Sequence, residues 1–233
     1  MVVLLSYKQN CAWLVMINLT SWCGAMRLES VGKIIKLLEE NYPRAETSLR
    51  YRNSYEFLVA VILSARSTDE QVNRITGLLF QRFPGFAELA RAEVEEVSSY
   101  IKGCGLHKNK SISLVKMARV IEEKHGGRIP SSWKEVLALP GAGRKTASLV
   151  MGTLWGEPAL PVDTHVYRVS KRLGLASGEK VEEVEEELKE VVEKDKWLPT
   201  HHRLIEHGRF ICVPRKPACE RCFLIDYCGR YFK

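Results

Sequence analysis

A chain of 233 residues can bury one large core or two smaller ones. Its 35 Lys and Arg against 28 Asp and Glu leave a formal charge of +7, a surplus that suits polyanionic partners such as nucleic acid. Seven cysteines, an odd number with four crowded into the last 22 residues, exclude the disulfide framework of a small secreted domain. They point instead to a metal or cluster site in a soluble protein of a reducing compartment.

Residues 1–25 hold apolar runs (Val2 to Leu5, Ala12 to Ile17) interrupted by Lys8, Gln9 and Asn10. No stretch reaches about 18 apolar residues, so no membrane span is expected, and the charged segment that opens a signal peptide is missing. Regular helical periodicity begins at Met26, which marks residues 1–25 as a dispensable extension. From there apolar residues recur at helical spacing and strand alternation is absent, so the fold class is all-α. Ile34, Ile35, Leu37 and Leu38 form a first helix that Pro43 ends. Asn53 with Glu56, Ser67 with Glu70, and Ser132 with Glu135 have capping-box spacing, each ahead of a helix-length apolar pattern. Phe57, Leu58, Val61 and Ile62 follow the first pair; Val72, Ile75, Leu78 and Leu79 follow the second. Ile112, Val115, Ala118 and Ile121 mark a further helix, stopped by Gly126–Gly127. The Glu- and Lys-rich run from Glu179 to Lys196 reads as the solvated face of a helix rather than an acidic binding surface. Val181, Val184, Leu188, Val191 and Val192 form its apolar stripe.

Leu139-Pro140-Gly141-Ala142-Gly143 lies between the helix headed by Ser132 and another that starts near Arg144. The helix start offers unpaired N–H groups and positive dipole to a phosphate, and the glycines permit close backbone approach. An ordinary helical turn needs the same glycines, so the segment alone leaves both readings open. Lys145 follows directly. A lysine attacks carbon only as the neutral amine, and both the helix N-terminus and Arg144 disfavour the ammonium form; a phosphate contact is the plainer role. Asp163, ahead of Val166 and Val169 at helical spacing, reads as an N-cap or as a carboxylate facing Lys145. In the second role it would stabilise the positive charge that a sugar develops when its base departs. His165 is suited to a structural hydrogen bond, to orienting Asp163 or to touching a phosphate.

Cys212, Cys219, Cys222 and Cys228 are spaced C-x6-C-x2-C-x5-C, enough thiolates to wrap one tetrahedral ion or one cubane. Zinc is the competitor, although its structural sites usually pair two C-x2-C units and a single one occurs here. Arg203, Arg209, Arg215, Lys216, Arg221 and Arg230 keep this tail basic, as a loop presenting cations to a phosphate backbone would be. Cys11, Cys23 and Cys104 read as incidental or buried thiols.

Leu139 to Ala147 (LPGAGRKTA), Val162 to Val166 (VDTHV) and the cysteine tail, in that order, resemble endonuclease III, in the helix–hairpin–helix family of DNA glycosylases. The resemblance covers roughly residues 27–230. It implies a two-lobed fold in which a six-helix domain, 47–157, is inserted between an N-terminal helix and a C-terminal iron–sulfur part (26–46 with 158–233). It implies that Lys145 attacks the sugar C1′ with Asp163 as its catalytic partner, and that the four cysteines bind a [4Fe–4S] cluster. It also implies a hairpin (Leu139, Gly141, Gly143, Arg144) and His165 on the DNA. Leu106 would be an apolar wedge, and Arg66 stands where the bacterial pattern has glutamine. The partner implied is double-stranded DNA with an oxidised or ring-saturated pyrimidine or an abasic site, flipped into the cleft. The protein is expected to be a monomer, cytoplasmic and nucleoid-associated in a prokaryote. Sister glycosylases that remove adenine or thymine from mismatches lack the amine at this position. A non-catalytic DNA-binding module and a zinc-stapled interaction protein are the readings from other classes.

Overall fold

The computed structural model describes the backbone of residues 19–229 and side chains from Glu29 onward. Those residues form eleven α-helices and short 3-10 turns without a strand, the all-α class that the periodicity predicts. Helix α1 (Leu19–Asn41) stops just ahead of Pro43 and runs through Met26 unbroken, so the start of the helix does not coincide with the expected end of an extension. Residues 1–18 of that segment, and Arg230, lie outside the described residues.

Helix α2 (Ser54–Ser64) is capped by Asn53, whose Oδ1 accepts the Glu56 N–H at 2.9 Å. Every residue from Tyr55 to Leu63 is buried, so α2 is the central rod of one lobe and apolar all round. Its one buried carboxylate, Glu56, reaches back to the Arg52 N–H and guanidinium, not to its own cap. Helix α3 (Asp69–Arg82) corrects the sequence reading by one residue. Thr68 and Gln71 form the reciprocal capping box. Ser67 is drawn away to accept bonds from Gly105 and Lys110, and Glu70 pairs with Arg74 on the surface. Helices α4 (Phe86–Arg91), α5 (Val94–Tyr100) and α6 (His107–His125) follow, and Gly126 ends α6 in the left-handed conformation. Helix α7 (Trp133–Leu137) is capped by Ser132 and leads through a hairpin to α8 (Arg144–Trp155). These elements share one core that runs from Leu49 to Met151.

A second core joins α1 to α9 (Thr164–Leu173), α10 (Val181–Val191), α11 (Trp197–Phe210) and the cysteine tail. In α10 the stripe Val184, Leu188 and Val192 is buried as expected. Val181 is not: at the first helical position it escapes the packed face and is 44% exposed. Ion pairs join the lobes, among them two made by arginines. Arg209 of α11 reaches Asp69 (2.6 Å) and Ser48 (2.7 Å), and Arg144 of α8 reaches Glu185 of α10 (3.2 Å). No helix among the described residues is long and apolar enough to cross a membrane.

The two hairpin glycines do different work. Gly141 has φ +85°, and a Cβ there would stand 2.9 Å from Ser113 Cβ and 3.4 Å from Ile62 Cγ2. Gly143 has φ −83° and open space where a Cβ would point. Gly141→Ala is therefore expected to cost about 1–3 kcal/mol through strain and overpacking. Gly143→Ala should cost about 1 kcal/mol or less. Chemical denaturation of both variants checks that order.

Candidate active site

Three helix N-termini converge on the groove between the lobes: α3 with its cap Thr68, α8 with Lys145 in its first turn, and α9 with its cap Asp163. The groove encloses about 1220 Å³, and Arg66, Asp69, Lys145, Asp163, His165 and Arg209 all line it. Sequence reasoning left Asp163 either an N-cap or a partner of Lys145. It is both. Its Oδ1 accepts the His165 and Val166 N–H groups (2.8 and 2.9 Å), while Oδ2 faces Lys145 Nζ at 3.5 Å. The lysine side chain is half exposed and the aspartate 15% exposed. Burial would raise the Asp163 carboxyl. Lys145, foremost, and the Val166 N–H outweigh that and hold it below the ordinary carboxylate range, so it is an anion at neutral pH.

Two histidines that the sequence did not single out stand near this pair. His201 is fully buried, and its Nδ1–H donates to the Pro161 carbonyl at 2.6 Å, which fixes its tautomer. Burial pushes it down to about 3, and His202 down to about 4, so both rings are neutral. His165 lines the groove. Burial, with Arg168 and Arg209 nearby, pushes it below its usual value against the pull of Asp163, and Arg168 donates to its Nδ1 at 3.3 Å.

The remaining predicted residues fall into two groups. Arg66 and Leu106 are exposed beside one small pocket, and both have left-handed backbone, φ 57° and 59°. In the hairpin, Leu139 is buried in the core, which leaves its backbone alone to meet a ligand. Gly143 caps α8 without a side chain, so the first N–H groups of that helix have no side-chain acceptor. Arg144 is spent in part on Glu185 and Glu186. Of the basic tail, Arg203 and Arg209 are likewise committed, to Glu39 and Asp69, rather than presented freely to a phosphate backbone.

All four tail cysteines are half-buried, and Cys212, Cys222 and Cys228 pack against the second core. Burial, joined by the other three sulfurs, raises the Cys222 thiol. Arg172 donates to Cys212 Sγ at 3.3 Å, and His207 Nε2 lies 3.6 Å from Cys222 Sγ. His207, pushed down to about 4 by burial, also meets the Tyr42 hydroxyl through Nδ1. Such N–H···S contacts suit thiolates bound to iron. Among the described residues, no three His, Cys, Asp or Glu side chains converge on a single-ion site. Helix α9 is tied to this loop: Arg168 donates to the Cys212 carbonyl, and Arg172 to the Val213 and Pro214 carbonyls. Gly208 lets α11 pack close enough for it, since a Cβ there would meet Arg168 and His165 at 3.1 Å.

The chain is similar to known proteins over most of its length. Residues 59–194 match the family model described as HhH-GPD superfamily base excision DNA repair protein, and residues 212–228 match the iron–sulfur binding domain of endonuclease III. Endonuclease III of Escherichia coli strain K12 is 42% identical over 204 residues, 88% of this chain and 95% of the relative. A non-covalent endonuclease III–DNA complex superposes with TM-score 0.83 at 37% identity, over 88% of this chain and 96% of that one. A trapped endonuclease III–DNA covalent intermediate, an estranged-adenine complex, gives the same TM-score and coverage at 36% identity. A helical cleft enzyme of base excision repair is thus the class that fold and site define. The chain belongs to the HhH-GPD superfamily and, within it, to the endonuclease III family. It is a DNA glycosylase and AP lyase of that type, and its cofactor is a [4Fe–4S] cluster.

The double duty of Asp163 separates two substitutions. Asparagine keeps an oxygen for the α9 cap and alanine does not, so Asp163→Ala should be about 1 kcal/mol less stable than Asp163→Asn. The carboxyl is held low, so its charge stabilises the fold fully above about pH 4 and the benefit fades as pH falls through the depressed value. Denaturation across pH should show the wild-type margin over Asp163→Asn flat at neutral pH and shrinking in acid.

Proposed function

We propose that this base excision repair enzyme works through an imine on Lys145, and that its substrates are oxidised or ring-saturated pyrimidines in duplex DNA. The observation that carries the reading is the 3.5 Å approach of Lys145 Nζ to Asp163 Oδ2 in a groove between two lobes. The damaged nucleotide leaves the stack and enters the groove. Neutral Lys145 attacks C1′; the Nζ–C1′ bond forms, the bond from C1′ to the base breaks, and the base departs with a proton. Asp163, held ionised, faces the positive charge that the sugar develops. The sugar ring then opens as its C1′–O4′ bond breaks and O4′ takes a proton, which leaves the imine. Loss of a proton from C2′ and rupture of the C3′–O bond cut the strand on the 3′ side.

Around this centre, Gly141 and Gly143 bring the hairpin backbone and the unpaired N–H groups of α8 to a phosphate. Leu139 contributes through its backbone, with Arg144 and His165 alongside. Leu106 and Arg66 fill the space that the flipped nucleotide vacates, and arginine at 66 sets a preference for the orphaned base. Cys212, Cys219, Cys222 and Cys228 hold the cluster, whose thiolate bonds cross-link the tail loop. That loop in turn anchors α9 through Arg168 and Arg172. The enzyme acts as a monomer, with 47–157 as one domain and 26–46 plus 158–233 as the other. The covalent DNA intermediate trapped for a relative supports the imine route.

Borohydride reduction of the wild-type protein on abasic duplex should yield a covalent adduct. Lys145→Gln should abolish the adduct while leaving duplex affinity nearly intact. A wild-type protein that gives no adduct overturns the imine mechanism.

A further inference from the structure

Arg66 and Leu106 are the two residues other than glycine with left-handed backbone among the described residues. Each such residue costs about 1–2 kcal/mol and persists only where its surroundings enforce it. Arg66 follows the C-cap of α2, and Leu106 stands at the N-cap of α6, where an extended conformation is usual. The two loops touch backbone to backbone. A Cβ on Gly105 would lie 2.9 Å from the Arg66 carbonyl oxygen, and the Gly105 N–H donates to Ser67 Oγ at 3.2 Å.

Lys110 closes this arrangement. It is 6% exposed, and its Nζ donates to the Leu63 carbonyl in the last turn of α2 (2.7 Å) and to Ser67 Oγ (3.0 Å). Ser67 Oγ thus receives donors from both the Lys110 helix and the Leu106 loop. A cation at the C-terminal end of α2 is favoured by that helix's dipole. Beside it, a pocket of about 200 Å³ is bounded by Arg66, Leu106, Asn109, Lys110 and the hairpin glycine Gly141.

We infer that Lys110 is a positioning residue that locks the Arg66 and Leu106 loops into one rigid unit, so that both side chains enter the duplex together. The inference rests on the proposed role of Arg66 and Leu106 in vacated duplex space. Two loosely hinged loops would have to be ordered at the moment of insertion; a pre-formed pair meets that cost during folding. Burial lowers the Lys110 ammonium from its usual range, in keeping with a structural donor held away from water.

The test uses the full chain and a duplex with 2-aminopurine opposite a tetrahydrofuran abasic analogue, whose fluorescence rises when the orphaned base unstacks. Wild-type protein should raise the signal. Lys110→Met should slow the rise about tenfold while duplex affinity changes little. Ser67→Ala, which removes the shared acceptor without entering the core, should slow it by a smaller factor, and it decides the matter if Lys110→Met does not fold. A flat wild-type signal, an unchanged rate in folded variants, or rate and affinity falling together overturns the inference. The signal needs no covalent step, so failure of borohydride trapping would strike the imine reading alone.

Discussion

The structure turns on how one carboxylate is divided. Asp163 gives Oδ1 to the first N–H groups of α9 and keeps Oδ2 for Lys145. The cap locks the side chain's direction, because two bonds to fixed backbone donors leave the carboxylate little freedom. Its charge is then aimed across the groove without further help. The same group would be a poor aim point on a loop, where each repositioning would cost ordering free energy in every turnover. His201 and His202, both neutral, add no competing charge near the pair.

The consequence for architecture is that α9 must be held still, and the cysteine loop does this. Arg168 and Arg172 project from α9 to carbonyls at 212–214, while Arg168 also meets Gly208 and His165. The loop that bears the four cysteines buttresses the helix whose N-terminus carries Asp163. On the other lobe α8 holds Lys145 in place, anchored by the Gly141 turn. The pairs Arg209–Asp69 and Arg144–Glu185 set the distance between the halves. Both pairs are only partly buried, so they register the lobes more than they stabilise them.

Much of this was legible in the sequence because the chemistry is concentrated in short runs. The hairpin, Lys145, Asp163 and the cysteine spacing are each local, and their order along the chain made the family evident. The all-α class followed from periodicity that the packing respects. Other features were out of reach because they depend on tertiary geometry. Nothing in the local pattern says that Thr68 rather than Ser67 caps α3; Gly105 and Lys110, about forty residues away, decide it. The exposure of Val181 reflects the entry angle of α10. Arg203 and Arg209 looked like free cations because Glu39 and Asp69 are distant in sequence. Arg168 and Arg172 did leave a trace: with His165 they lie three and four residues apart, on a face of α9 beside the one that carries Val166, Val169 and Leu173.

The central claim is that the amine facing Asp163 is the one that joins the sugar. Proteolysis of the borohydride-reduced DNA adduct, followed by peptide mapping in a mass spectrometer, tests it directly. The account predicts the sugar remnant on Lys145. Attachment at another amine, Lys110 or Lys171 for example, would contradict it.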